Sequence, residues 1–462
     1  MILNTSHGVD AERPVACTIV AKNYLAHARC LTQSFLAQHP DGLMYVLLVD
    51  RVDGCFDPAA EQFLLLEVEE LNIASLIDMT LRYDLLELCT AVKPFLLEFL
   101  LYARGHRKIC YLDPDIWVYR PLTEAWTLLD HHAIVLTPHL LGPLPDRSDP
   151  DELLILQCGT YNLGFIGISD HSDTRSLLAW WRNRMVWGSL SKIEAGHFVD
   201  QKWIDLTPGF YPSIAIIRHP GYNTAYWDLS NRAVTPDGNG GYSVNGTDLV
   251  FFHFSGYDPR HSKRISKYQN RFTFGSHPQV RSLFDTYRDR LLEKGYETAT
   301  QWANSLIDSG RGQRDQWGVR KLWRSIQLRS PTQWRLDPLL NLSKQRGLAT
   351  WLCQPDATHP STLGLLTPVM TTLYRDNPVL TVIFPDPAGA DEIMFALWFI
   401  VRARRRHGIH RRFAAPVALR LVKVALRHPL RFIATLVRFC RLGISISSGR
   451  NPHLEERSHL RL

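Results

Sequence analysis

No stretch of this sequence is apolar for long enough to cross a membrane. The longest uninterrupted apolar run covers residues 393–401, whereas a membrane-spanning helix needs about 20 apolar residues. The N-terminal stretch, MILNTSHGVDAERP, has neither the basic segment nor the apolar core of a secretory signal. The sequence therefore predicts a cytoplasmic protein that is neither exported nor membrane-spanning.

Paired cysteine motifs are also missing. The 8 cysteines are scattered through apolar segments, and none of them forms a Cys-x-x-Cys pair. This spacing favours neither a zinc site nor a disulfide framework. We expect buried thiols in a reducing compartment.

Acidic residues are scarce near the C-terminus. Residues 402–462 carry 15 Lys and Arg against 2 acidic residues, whereas the rest of the chain carries 37 against 43. A basic tail on a slightly acidic body favours an anionic partner, either a membrane surface or a nucleic acid. The tail has almost no aromatic residues to stack on bases, so we expect no nucleic-acid partner.

The same tail shows helical periodicity. Its apolar residues recur at spacings of three and four, with cations one position later, which predicts an amphipathic helix on an anionic membrane surface, peripheral to the inner face of the plasma membrane. The alternative is that the apolar stripe packs against the rest of the protein. Pro429 predicts a kink. The stripe is Leu419, Val422, Leu426, Leu430, Ile433 and Val437, and the cations are Arg420, Lys423, Arg427 and Arg431.

With 462 residues, 45% hydrophobic and 21% charged, the chain has the composition of a soluble protein of two or three domains. Changes in composition divide it into four segments. They are a main domain at 1–280, which holds the candidate residues described below, a helical connector at 281–350, a small helical accessory domain at 351–413 and the basic tail at 414–462.

The strongest chemical signal lies in KICYLDPDIWVYRPL, residues 108–122. An apolar run typical of a buried strand ends there in Asp113 and Asp115, and ligands bind beyond the carboxyl ends of strands in open α/β sheets. Two carboxylates at this spacing can hold a divalent cation that also binds diphosphate oxygens. A second Asp-x-Asp, at residues 149–151, has no strand before it and is interpreted as a solvated loop.

Other candidate residues come before this strand. The segment from Val15 to Asp50 predicts a β-α-β unit, and its first loop would place Tyr24 near Asp113, either to stack on a nucleotide base or to pack at the helix start. Lys93 is the one basic residue in the apolar segment 85–102. It either reaches a diphosphate or extends to the surface.

Further candidates come after the strand. Asn162 interrupts a glycine-containing strand, and Asp200 and Gln201 stand at a break before a helical turn. His253 ends an apolar strand and is followed by Gly256 and several cations. That pattern favours a metal ligand beside a diphosphate-binding loop over a histidine buried in the core.

Taken in order, these residues resemble the GT-A glycosyltransferases, and most closely glycosyltransferase family 8, whose members include glycogenin-like and bacterial galactosyltransferase-like enzymes. The resembling elements are Asp113-x-Asp115, Asn162 in YNLGF, Asp200-Gln201, Asn223 in GYNTAYW, and His253 with Gly256. Residues 351–413 resemble a helical segment of bacterial polysaccharide-assembly transferases. The resemblance implies an α/β fold with a Rossmann-like sheet, helices on both faces and a C-terminal helical region.

The resemblance also implies roles for the residues. Asp113, Asp115 and His253 would hold Mn²⁺ or Mg²⁺, while Asn162, Asp200 and Gln201 would line the catalytic pocket. The donor would be bound by Tyr24, Lys93, Asp113, Asn223, Gly256, Arg260 and Lys263. Two positions depart from the family pattern, because Ala21 replaces an aspartate and Pro259 replaces a lysine.

The resulting hypothesis is a metal-dependent, retaining glycosyltransferase that moves a sugar from a nucleoside diphosphate to a glycan, lipid-linked or protein acceptor in surface-polysaccharide or glycoconjugate assembly. The alternatives are an inverting transferase of the same fold and a non-catalytic binder of sugar nucleotides or polyanions. A sugar-1-phosphate nucleotidyltransferase would need a glycine-rich loop after the first strand, and AKNYLAHA contains no glycine.

Overall fold

The computed structural model describes residues 13–238, 240–308, 352–357, 359–375, 377–403 and 411–446. The chain forms two compact units, residues 1–307 and 308–462. Most of the predicted connector and the end of the predicted tail lie outside the described residues. Across the described ranges, no helix has the length and apolar character needed to cross a membrane.

The first unit contains all of the described strands, and its largest sheet has the order β10-β6-β7-β4-β1-β2-β3. Most neighbouring strands in it are parallel, but β7 runs antiparallel to both β4 and β6. The strands are β1 (Val15–Val20), β2 (Leu43–Leu48), β3 (Leu64–Glu67), β4 (Lys108–Leu112), β5 (Ile116–Val118), β6 (Ile134–Pro138), β7 (Tyr161–Ser169), β8 (Ser191–Lys192), β9 (His197–Phe198), β10 (Ile214–Ile216), β11 (Val234–Pro236), β12 (Tyr242–Val244), β13 (Thr247–Asp248) and β14 (Phe251–His253).

Helices connect and cover these strands. The helices of the first unit are α1 (Leu25–Gln38), α2 (Leu76–Arg82), α3 (Leu85–Ala91), α4 (Lys93–Glu98), α5 (Thr123–Leu129), α6 (Glu152–Cys158), α7 (Ser172–Gly188), α8 (Gln201–Ile204), α9 (Thr207–Phe210), α10 (Arg281–Glu293), α11 (Tyr296–Ala299) and α12 (Ser305–Asp308). The break between α3 and α4 falls just before Pro94, which lies in the first turn of α4, where a proline is tolerated.

Both faces of the central sheet are covered. Every residue of β1 is buried, and because side chains alternate along a strand, this burial requires cover on both sides. Helices α1 and α5 pack on the face that carries Ala16 and Leu112. On the other face, the ammonium group of Lys93 in α4 lies over the ring of Tyr111. The predicted α/β fold with a largely parallel central sheet is therefore confirmed.

The strand directions decide which chain ends meet at one edge. The parallel strands β1, β2 and β4 finish at the same edge of the sheet. The antiparallel β7 instead begins there, and the Asp113 N–H donates to the carbonyl of Gly164, 2.8 Å away. This edge therefore gathers the loop after β1, the acidic stretch after β4 and the first residues of β7.

The second unit is helical, with α13 (Pro368–Arg375), α14 (Pro378–Ile383), α15 (Glu392–Trp398), α16 (Arg411–Arg427) and α17 (Pro429–Ile446). One face of α16 enters the core of this unit through Phe413, Val417, Leu421 and Val424. The break between α16 and α17 lies at the predicted kink, because α17 begins at Pro429.

Candidate metal centre and donor site

The metal-ligand candidates come from two strands that pair just beyond the central sheet. After β4 the chain passes Asp113 and Asp115 and enters β5, which pairs antiparallel with β14 and places His253 opposite Ile116. The N–H of Phe254 donates to the carbonyl of Asp115 at 2.8 Å. Backbone pairing therefore brings the three predicted ligands together.

Their side chains meet at one point. Nε2 of His253 lies 3.0 Å from Oδ1 of Asp115 and 3.8 Å from Oδ2 of Asp113. One ligand atom from each residue lies within 4.8 Å of the others. His253 is buried, whereas both aspartates are partly exposed, so the cluster is open toward solvent on its carboxylate side.

Both aspartates of this cluster attract positive charge on His253. Burial acts to raise the pKa of Asp115, but the charge and hydrogen bond of His253 outweigh it and hold that pKa below its usual value. Burial acts to lower the pKa of His253, and Asp115 more than offsets this effect, so the pKa is raised. Two carboxylate oxygens and one imidazole nitrogen thus stabilise positive charge at this point, and they fit a divalent cation.

Two neighbouring residues of the adjacent strands shape the cluster. The hydroxyl of Tyr111 donates to Oδ1 of Asp113 at 2.7 Å, which leaves the other carboxylate oxygen directed at His253. A Cβ at Gly164 would lie 2.3 Å from Cε1 of His253. The glycine is therefore required because the backbone of β7 passes against the imidazole.

The predicted catalytic residues form a buried network beside the cluster. Oε1 of Gln201 accepts from the N–H of Leu163 at 2.9 Å and from Nδ2 of Asn162 at 3.3 Å, while its Nε2 donates to the carbonyl of Cys158. The same Nδ2 of Asn162 lies 3.0 Å from Nε2 of His139. The two amide side chains therefore have their positions set by several contacts each.

Lys93 and Asp200 are joined in this network as an ion pair. Nζ of Lys93 lies 2.7 Å from Oδ2 of Asp200 and donates to the carbonyl of Leu163 at 2.8 Å, and it lies 4.1 Å from the ring centre of Tyr111. Burial raises the pKa of Asp200, and the charge of Lys93 opposes that rise. The sequence predicted that Lys93 binds a diphosphate or extends to the surface. In the structure it instead forms a buried ion pair with Asp200.

Asn223 is completely buried, at 0% exposure. Its side chain contacts Thr137, Asn162 and His253, so in this structure its polar atoms are directed at protein groups. Its backbone is left-handed, with φ of 51°.

Two further donor-site candidates, Tyr24 and Gly256, lie in the segments that follow β1 and β14. The ring of Tyr24 is partly exposed and stacks on His27, with 4.4 Å between the ring centres. Burial and then the negative charge of Asp115 raise the pKa of Tyr24. The left-handed Gly256, with φ of 71°, has the side chains of Ser266 and Tyr268 directly against it.

Arg260 and Lys263 are exposed residues of the loop that follows His253. Nε of Arg260 lies 3.1 Å from Oδ1 of Asp258, so its guanidinium is held by an acidic residue of the same loop. The second Asp-x-Asp copy lies elsewhere, and there Asp151 accepts from the N–H of Leu154 as the N-cap of α6.

Sequence reasoning missed four residues of this site, namely Tyr111, Thr137, His139 and Gly164. A signal was available for three of them. Tyr111 stands two residues before Asp113, so the period of a strand places both on one face. Thr137 and His139 are polar residues at the carboxyl end of β6, which is the position where site residues of α/β sheets gather.

No model of a protein family matches this chain. The chain is similar to two proteins of Bacillus subtilis strain 168, both described as uncharacterised. YfnF is 24% identical over 245 residues, which is 52% of this chain and 80% of that protein. YfnD is 21% identical over 246 residues, which is 52% of this chain and 76% of that protein.

Several solved structures of glycosyltransferases are similar to this chain. The galactosyltransferase LgtC, in complex with donor and acceptor sugar analogues, is 14% identical over 60% of this chain and 95% of its own, with a TM-score of 0.35. GlyE of Streptococcus pneumoniae TIGR4 is 12% identical over 63% of this chain and 65% of its own, with a TM-score of 0.37. Because both scores lie below 0.5, these likenesses assign no activity to the chain.

Proposed function

We propose that the protein is a glycosyltransferase that transfers a sugar from a nucleoside diphosphate to an acceptor with the help of Mn²⁺ or Mg²⁺. The observation that carries this proposal is the meeting of Asp113, Asp115 and His253 at the carboxyl edge of the sheet. The acceptor class is a glycan, a lipid-linked sugar or a protein, and the setting is surface-polysaccharide or glycoconjugate assembly.

The residues of the chain divide the work of such a site. Asp113, Asp115 and His253 would hold the cation, which when bound offsets the charge that develops on the departing diphosphate. The exposed ring of Tyr24 offers a surface on which a base can stack. Asn162 and Gln201, fixed by their mutual contacts, would line the pocket for the transferred sugar.

The test of this proposal is to measure Mn²⁺ binding and sugar transfer in the same variants. Asp115→Ala and His253→Ala should each abolish turnover and Mn²⁺ binding while the protein stays folded, and a chelator should have the same effect. Asp149→Ala, in the second Asp-x-Asp copy, is the matched control and should keep both. If either ligand variant kept wild-type turnover in chelator-treated buffer, the metal-site assignment would be wrong.

A thermal-shift screen of nucleoside diphosphates and nucleoside-diphosphate sugars, with and without Mn²⁺, would identify the donor. A ligand that binds the native state raises the melting midpoint of the protein. Cation-dependent stabilisation followed by release of the nucleoside diphosphate supports the transferase. Tight binding of a sugar nucleotide without turnover, across glycan and lipid-linked acceptors, would instead support the non-catalytic binder.

Retention of the anomeric configuration is the second part of the proposal. An inverting transferase needs a carboxylate that can reach the acceptor hydroxyl as a general base. Asp200, the carboxylate next to Gln201, is only 2% exposed and is paired with Lys93, which makes it poorly suited to that role. NMR of the first-formed product distinguishes the two outcomes, and an inverted linkage would make Asp200 the candidate base.

The third part of the proposal is that the helix pair α16 and α17 binds an anionic membrane surface. The predicted apolar stripe is exposed along its whole length, reaching 79% at Leu426 and 84% at Leu430. Because the inner face of α16 already packs in the core of its unit, the stripe is a second apolar face.

Cations accompany this outer face. Of the four predicted cations, Lys423 and Arg427 are exposed, whereas Arg420 donates to the carbonyl of Cys353 and Arg431 to that of Gly389. Arg438, which was not among the predicted cations, is also exposed. An exposed apolar stripe with flanking cations fits a helix lying among anionic headgroups, where each Lys or Arg contributes about 1 kcal/mol.

Co-sedimentation of the full chain with phosphatidylglycerol liposomes tests this interface. The double variant Leu426→Glu/Leu430→Glu should lose most of the binding, because it places two carboxylates in the apolar stripe. Leu153→Glu/Leu156→Glu, which changes two exposed leucines of α6, should bind like the wild type. Binding that is equal in both double variants, or that is indifferent to salt and to anionic lipid, would eliminate the membrane interface.

A further inference from the structure

Asn223 and His253 belong to a chain of hydrogen bonds. One backbone N–H group determines which atoms of this chain donate and which accept. The N–H of Gly164 lies 3.0 Å from a side-chain atom of Asn162. A backbone N–H can only donate, so that atom is the amide oxygen, Oδ1. Asn223 approaches the same oxygen at 2.9 Å, and it must therefore do so with its NH₂ group.

This orientation determines the other end of the Asn223 amide. The NH₂ group donates to Oδ1 of Asn162 and to Oγ1 of Thr137, both at 2.9 Å. The remaining atom, Oδ1 of Asn223, can only accept, and it lies 3.1 Å from Nδ1 of His253. Nδ1 must then carry a hydrogen that it donates to Asn223. If the ring gives up its second proton, it does so from Nε2, and the lone pair is then on the nitrogen that faces Asp113 and Asp115.

We propose that Asn223 is a positioning residue that orients His253 and selects the tautomer able to bind a metal ion through Nε2. This inference rests on the proposed metal centre, and it gives Asn223 a role other than the contact with the donor that the family resemblance implies. Metal-bound histidines commonly donate their second ring N–H to a fixed acceptor, which sets the ring orientation and strengthens the ligand.

The backbone at Asn223 supports this role independently. Its φ of 51° is a conformation that L-residues other than asparagine, aspartate and histidine rarely adopt. The neighbouring Thr224 forms a bridge with Phe252, and the N–H of His253 donates to the carbonyl of Thr224 at 2.8 Å. The strained residue is thus held in place by the same strand that carries the metal-ligand candidate, as is common at functional sites.

The experiment is to replace Asn223 with glycine, which removes the amide but accepts the left-handed backbone. The full-length variant should bind Mn²⁺ roughly 10- to 100-fold more weakly than the wild type. Asn245→Gly is the matched control, because Asn245 is also left-handed, with φ of 53°, and bonds to Asn231 and Ala233 instead. It should bind Mn²⁺ like the wild type.

A spectroscopic readout separates orientation of the ligand from general loosening of the site. Electron spin echo measurements on bound Mn²⁺ should show coupling to a coordinated imidazole nitrogen in the wild type and in Asn245→Gly. The coupling should be weakened or lost in Asn223→Gly at saturating Mn²⁺. Unchanged affinity and unchanged nitrogen coupling in Asn223→Gly would overturn the proposal.

A milder variant covers the case in which Asn223→Gly does not fold. Thr137→Val removes one acceptor of the Asn223 amide and leaves every predicted metal ligand in place. It should therefore weaken Mn²⁺ binding by a few-fold, and unchanged binding in this variant would count against the proposal.

A wild-type protein that binds no Mn²⁺ would refute the metal centre itself, whereas equal binding by wild type and Asn223→Gly would refute only the role of Asn223.

Discussion

At the scale of single residues, Lys93 and Asp200 form an ion pair that is buried in the interior of the site. Both side chains are 2% exposed, and an ion pair with so little access to water is stable only while both members are present. The ammonium group is also fixed by the carbonyl of Leu163. Lys93 therefore links the carboxylate of Asp200 to the backbone of β7 at Leu163.

Replacing Lys93 with methionine tests this interpretation. The side chain keeps its approximate length but loses its charge, so Asp200 is left buried without a partner, and the free energy of unfolding should fall by about 3–5 kcal/mol. The double variant Lys93→Met/Asp200→Asn should recover much of that loss, because neither position then carries a buried charge. Urea unfolding measures both effects.

The control for this prediction is a lysine of the protein surface. Lys108 pairs with Asp130, and both side chains are substantially exposed, so Lys108→Met should change stability little. A Lys93→Met protein as stable as the wild type would show that the buried pair contributes nothing to the fold.

At the scale of elements, the direction of a single strand decides which residues share the site. Asn162 and Gly164 stand at the beginning of β7, and they reach Asp113 only because β7 runs antiparallel to β4. A parallel strand in the same place would have put them at the opposite edge of the sheet. The polarity of β7 is thus what joins the catalytic candidates to the metal-ligand candidates.

Helix α16 shows a second consequence of element geometry, because one of its two apolar faces is buried and the other is exposed. Leu421 is 5% exposed and packs in the core of its unit, whereas Leu426 is 79% exposed. Leu421→Ala should destabilise the second unit by about 2–5 kcal/mol. Leu426→Ala removes no buried contact and should change stability by less than about 0.5 kcal/mol.

Hydrogen exchange over the helix Arg411–Arg427, followed by mass spectrometry, provides the measurement for this pair of variants. Exchange should accelerate in Leu421→Ala and stay at the wild-type rate in Leu426→Ala. Equal acceleration in both variants would mean that the outer face is also packed in solution, which would remove the basis for a membrane interface.

At the scale of the whole molecule, the sequence predicts the strands and helices well, but it predicts only some of the contacts between segments that are far apart in the chain. The carboxylates after β4 and the parallel β1–α1–β2 unit follow from local apolar patterns. The pairing of β5 with β14 joins residues that are far apart in sequence, and no periodicity reveals it. For the same reason the buried pairing of Lys93 could not be foreseen, because its acidic partner lies more than a hundred residues away along the chain.

Buried histidines make the stability of the first unit sensitive to acid, and His39 is the clearest case. Its Nε2 accepts from the N–H of Leu122 at 3.1 Å, and its ring packs between Phe35 and Trp126. Burial lowers the pKa of His39 to about 4, whereas the pKa of a histidine in an unfolded chain is about 6.5. The folded state therefore binds fewer protons than the unfolded state between these two values.

The sign of the effect follows from this difference in proton binding. The contribution of His39 to stability is complete above pH of about 6.5 and is lost progressively as the pH falls toward 4. His39→Gln offers an acceptor to Leu122 but does not titrate, so between pH 7.5 and 5.5 it should lose about 1 kcal/mol less stability than the wild type. Urea unfolding at the two pH values measures the difference, and His131→Gln, at an exposed histidine, should follow the wild type. If His39→Gln lost as much stability on acidification as the wild type, proton binding at His39 would not contribute to acid sensitivity.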